Sequence, residues 1–88
     1  MNNHRKRLNI LVALSDKLWE DYSQNMSEAA EKEYLRKMYL VKKEINNGYL
    51  KTMQDLKIFS KELGYLILEN PTKTFLGGSE IIITSNNN

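Results

Sequence analysis

The sequence predicts an all-α fold: an antiparallel helical bundle of three long helices, four if the third is divided, with a non-helical C-terminal tail. Three observations carry this. Apolar residues return at steps of three and four through three successive segments, the period of a helix with one face on a core. The breaks between the segments are short, which sets successive helices antiparallel. The helical period stops at Pro71, so a single domain over 1–88 ends in a tail over 71–88.

The first segment runs from Arg5 to Tyr22. Leu8, Leu11, Ser15, Leu18 and Tyr22 form its stripe, widened by Val12, Leu14 and Trp19. The cluster Arg5-Lys6-Arg7 opposes the helix dipole, so the first ordered turn is expected at or after Arg7. Residues 23–27 form the break. Asn25 and Ser27 are both N-cap candidates, and the sequence does not choose between them.

The second segment runs from Glu28 to Ile45, with Ala30, Tyr34, Met38, Val41 and Ile45 on its stripe. Asn46-Asn47-Gly48 ends it, because Asn and Gly tolerate the left-handed conformation of a helix C-terminus. The third segment begins near Tyr49 or Thr52 and runs to Glu69. Thr52 and Asp55 have the spacing of a capping box. Leu56, Phe59, Leu63, Leu66 and Asn70 continue the helical step. Gly64 interrupts it, either for the close approach of a neighbour or as a bend or break. The proline after Asn70 terminates it. Leu18, Met38 and Leu63 are assigned to the core.

The tail differs in kind. Phe75, Leu76, Ile81, Ile82 and Ile83 are many apolar residues for a solvated end. Ile81 to Ile83 is β-prone, and a lone strand is unstable. It must pack on the helices, pair with another chain, or stay mobile. Gly77-Gly78 lacks the Lys-Ser/Thr of a phosphate loop and reads as a hinge. Phe75, Leu76, Gly77, Gly78, Ile81, Ile82 and Ile83 are therefore the candidate partner-binding residues.

Composition narrows the function. There is no cysteine, and His4 is the single histidine. Thiolate metal sites, thiol nucleophiles and Ser-His pairs are thereby excluded or disfavoured. No paired carboxylates suggest a general acid and base. The reading is a protein that is not an enzyme, with no catalytic residue, cofactor, metal or small-molecule substrate. The formal net charge is +2. Glu28, Glu31, Glu33 and Glu44 interleave with Lys32, Arg36, Lys37, Lys42 and Lys43, so no specific nucleic-acid partner is expected. Trp19 and the tyrosines read as core-rim residues, with Tyr39 the exception off the stripe. Arg5-Lys6-Arg7 and the apolar run Leu8 to Leu14 are followed by the charges of Ser15-Asp16-Lys17, where a leader would be cleaved. A cytoplasmic protein is expected.

The outline resembles the small immunity proteins that protect producers of class IIa, pediocin-like, bacteriocins. The shared features are a short, mildly basic, cysteine-free chain, an opening amphipathic helix with Leu18-Trp19 and Tyr22, and two helices joined through Asn46-Asn47-Gly48. A non-helical tail with Phe75-Leu76-Gly77-Gly78 then follows Pro71. The resemblance covers nearly the whole chain through gross features and implies an antiparallel four-helix bundle. Such proteins act from the cytosol, peripheral at the inner face of the membrane, on the mannose phosphotransferase permease engaged by the toxin. The C-terminal part is associated with recognising the bacteriocin. Three long segments rather than four is the departure here, unless the third divides. Two other readings compete: a small phage or plasmid regulator binding nucleic acid through Arg5-Lys6-Arg7 and the second helix, and an adaptor that works as a dimer.

Overall fold

In the computed structural model the chain runs α1 (Asn3–Gln24), α2 (Glu28–Asn47), α3 (Met53–Leu63), β1 (Tyr65–Pro71) and β2 (Ser79–Ser85). The structure describes residues 3–71 and 79–86.

α1 begins earlier than the dipole argument expects. The reason lies in its antiparallel partner. Arg7 is buried, and its guanidinium donates to the carbonyl oxygen of Glu44 at 3.2 Å. That carbonyl belongs to the last turn of α2; it also accepts the Gly48 N–H, and Arg7 takes its second lone pair. Lys6 meets Glu69 at 3.4 Å. Lys6 and Arg7 of the basic run are thus matched by acceptors from elsewhere in the fold.

The choice of N-cap falls on Ser27, whose hydroxyl accepts from the Ala30 N–H at 3.0 Å. α2 closes on Gly48, whose positive φ of 69° lets its N–H reach the Glu44 carbonyl at 2.8 Å. Thr52 and Asp55 form the capping box reciprocally at the start of α3.

The third segment departs from the sequence reading. It does not continue as helix to Glu69 but ends at Leu63, and Gly64 takes the left-handed conformation with φ 98°. The chain then turns into β1, which pairs antiparallel with β2 from Tyr65↔Ser85 to Pro71↔Ser79, with Leu68 opposite Ile82. The fold is therefore predominantly helical with a two-stranded antiparallel sheet, and not an all-α bundle. Local chemistry explains the switch. Tyr65-Leu66-Ile67-Leu68 is itself aromatic, β-branched and apolar, and Ile81-Ile82-Ile83 supplies the partner that a lone strand lacks. Two further bonds lock the junction. The Ser60 hydroxyl donates to the Tyr65 carbonyl at 3.0 Å, and the Asn86 N–H donates to the Gly64 carbonyl at 2.9 Å.

α1 is the central element, with α2 packed along it and α3 and the hairpin also resting on it. The core joins Ile10, Leu11, Leu14 and Leu18 of α1 to Val41 of α2, Leu56 and Leu63 of α3, Tyr65 and Ile67 of β1, and Ile83 of β2. Leu18 and Leu63 are buried as expected, and Met38 is partly buried against this cluster. Among the described residues, no helix is long and apolar enough to cross a membrane.

Candidate partner-binding surface

Strand geometry sorts the hairpin into two faces, because alternate residues point to opposite sides. Tyr65, Ile67 and Ile83 turn inward and are buried; Ile81 packs on the same core. Glu69 continues that side at its rim, where it meets Lys6 of α1 and Lys57 of α3, each at 3.4 Å. The Lys6 hydrogen bond, assisted by Lys57, holds the Glu69 carboxyl below the ordinary carboxylate range. The other side carries Leu66 and Leu68, which are exposed, with Ile82 opposite Leu68 and Thr84 opposite Leu66. The outward side thus carries three apolar residues beside Thr84, held in place from behind by the core.

Of the candidate residues read from the sequence, Phe75, Leu76, Gly77 and Gly78 lie outside the described residues. Ile81, Ile82 and Ile83 do not act together. Ile83 is buried and Ile81 rests on the core, so both serve folding first, and Ile82 alone of the three is on the outward side. Leu66 and Leu68 join it there, a pair that a helical reading of 52–69 could not single out. The signal available in the sequence was the β-prone Ile81 to Ile83, which needed a partner strand, and the run after Gly64 with the composition to be one.

A second exposed set lies on the paired helices: Val12 and Trp19 of α1, with Leu35 and Tyr39 of α2. Trp19 is anchored by aromatic contact with Tyr22 and Tyr34, at centroid distances of 6.0 and 5.9 Å, and Tyr22 stacks on Tyr34 at 4.9 Å. Offset and edge contacts of this kind are favourable arrangements for aromatic rings. A cleft of about 180 Å³ beside this cluster is lined by Tyr22, Tyr34, Lys37 and Tyr65. A larger one of about 340 Å³ opens near Arg7, Ile45, Gly48 and Lys51. Its one buried cation, Arg7, is already engaged with Glu44, whose carboxylate lies 3.8 Å away. Among the described residues, no group of three or more His, Asp and Glu is placed to hold a metal ion.

No family model, curated protein or solved structure matches this chain. The site is accordingly read from its own geometry.

That geometry includes one strongly perturbed group. The Tyr65 hydroxyl donates to the Asp21 carboxylate, and lies 3.5 Å from the Lys17 carbonyl. Burial first, and then the bond to Asp21, push the phenol far above its ordinary range. A pKa raised on folding means that the neutral form is favoured in the native state. The associated stability is complete below about pH 10, where an unfolded tyrosine is neutral, and is lost as pH rises beyond it. Stability is therefore expected to fall from about pH 10 upward in urea titrations. Tyr65→Phe should flatten that alkaline limb while costing about 0.5–2 kcal/mol near neutrality.

Proposed function

We propose that this chain is a non-catalytic protein-binding module that meets its partner through the outward side of the hairpin. The observation that carries this is the exposure of Leu66 and Leu68 beside half-buried Ile82, on a hairpin whose other side is tied into the core. Isolated exposed apolar residues are ordinary, but apolar neighbours held rigid by a packed scaffold suit recognition. The charges give less. Lys6, Arg7 and Arg36 are engaged with Glu69, Glu44 and Glu33, so part of the positive charge is already matched within the fold.

The partner is read from the resemblance to class IIa bacteriocin immunity proteins. In that reading the chain protects its producer from the cytosol, at the inner face of the membrane, by acting on the mannose phosphotransferase permease with bacteriocin bound. The hairpin takes the place of the family's final helix and tail, the part associated with recognition. The test is survival. Production inside a sensitive cell should protect against one or a few related bacteriocins added outside, without inactivating toxin in solution. Leu66→Ser with Leu68→Ser should abolish protection while leaving the helical circular dichroism unchanged. Absence of protection by the unsubstituted chain removes the immunity reading. Protection that survives the double substitution moves the recognition surface away from the hairpin.

A further inference from the structure

Among the described residues, the strand β2 has one edge paired with β1 and one with no strand paired to it. Exposed edges are normally guarded by lysine, proline or a bulge, because unpaired N–H and C=O groups invite another strand. Ser79-Glu80-Ile81-Ile82-Ile83-Thr84-Ser85 contains no lysine, arginine, proline or glycine, and it pairs without interruption over its whole length. The edge of β1 differs, since it ends in Pro71, which has no N–H to offer.

We propose that the β2 edge pairs antiparallel with β2 of a second copy of this chain, about a two-fold axis at Ile82, giving a four-stranded sheet in the order β1-β2-β2-β1. The sequence of the strand selects this occupant. Reversed about Ile82, it nearly reproduces itself: Ser79 falls opposite Ser85, Ile81 opposite Ile83, and Glu80 opposite Thr84. No like charges meet, a requirement for cross-strand neighbours. The faces match as well. Ile81 and Ile83 both belong to the inward side, so pairing them keeps the two helical layers on the same side of the joined sheet. Leu66, Leu68 and Ile82 of both copies then form one apolar surface on the other side. An isologous two-fold contact of this kind closes at two chains and does not propagate. The inference is independent of the partner proposed above, which needs only the outward side of a single hairpin.

The test is sedimentation equilibrium of the full chain from about 1 µM to about 1 mM, concentrations that bracket weak to moderate association. The expected mass rises from one chain to two and stops. Register is tested by charge at position 84, which meets Glu80 of the second copy twice per dimer. Thr84→Lys should tighten the dimer and Thr84→Glu should weaken it, each by roughly 2- to 30-fold. Ile82→Lys, which sets two ammonium groups against each other at the axis, should abolish dimer formation while the monomer keeps its circular dichroism. A single-chain mass throughout overturns the proposal. So does assembly that continues past two chains, or a dimer whose affinity ignores the sign of charge at position 84. The unsubstituted chain decides the first two outcomes whatever the variants do.

Discussion

Replacing Glu44 by alanine is expected to cost about 3–5 kcal/mol, because it leaves the Arg7 charge buried without its opposing carboxylate, with only the carbonyl of residue 44 to accept from it. Both side chains are only 9% exposed. Solvent therefore does little to replace what the substitution removes. Glu44 also accepts the N–H of Leu50, so its loss strands a second polar group in the turn between α2 and α3. An 88-residue domain has a net stability of roughly 4–13 kcal/mol. The loss is thus a large fraction of the whole, and it should lower the thermal midpoint by about 12 °C or more. Replacing both residues together, Arg7→Met with Glu44→Leu, should recover much of the loss, since a buried pair contributes less than either partner costs when left alone. Recovery should stay incomplete, because the Leu50 N–H loses its acceptor and the carbonyl of residue 44 keeps only the Gly48 N–H. Denaturant midpoints of the single and double variants check both statements. A single variant as stable as the parent would place the pair in solvent.

Leu63 and Leu66 carry the second large expected effect, and the contrast between them separates the two accounts of the third segment. Three positions apart on a continuous helix, they would share a stripe and a similar cost. In the structure Leu63 is 2% exposed at the end of α3, whereas Leu66 is 36% exposed on the outward side of β1. Leu63→Ala should therefore cost about 2–5 kcal/mol, the range for truncating a buried leucine. Leu66→Ala should cost less than about 1 kcal/mol, the scale of a cross-strand pair. Equal losses at the two positions would restore the helix through Gly64.

The two accounts diverge where a short apolar run fits two periods. α1 and α2 were legible because each sustains its stripe over several turns, and the end of α2 is bounded by chemistry with one reading, Gly48 after Asn47. The start of α3 was legible for the same reason, through Thr52 and Asp55. Beyond Leu63 the residues Leu66 and Asn70 extend the helical step, yet Leu66, Ile67 and Leu68 also form a continuous apolar strand. Periodicity cannot arbitrate over so few residues. What decides is the pairing of β1 with β2, a contact between segments distant in sequence that no local pattern encodes. Gly64 carried the local hint, since a glycine in mid-helix costs stability whereas one at a helix end favours it.

The candidate surface was hidden by the same ambiguity. Ile81, Ile82 and Ile83 were identified as a group of anchors, but a strand divides neighbours between two sides, so only Ile82 remains available outward. Its companions Leu66 and Leu68 emerge only once the register is known. The basic run at Arg5-Lys6-Arg7 shows the reverse case. Its charge pattern placed the first ordered turn at or after Arg7, whereas burial of Arg7 against the end of α2 depends on the antiparallel packing of the two helices.

The account rests on a hairpin in the C-terminal third, and proton nuclear Overhauser contacts test it most directly. Antiparallel strands bring the α-protons of alternate opposed residues close together. Contacts are expected between alternate pairs of the register that sets Leu68 opposite Ile82 and Ile67 opposite Ile83. Successive amide contacts, the mark of a helix, should stop at Gly64. An unbroken series of amide contacts from Met53 through Glu69, with no α-proton contact between residues 65–71 and 79–85, would contradict it.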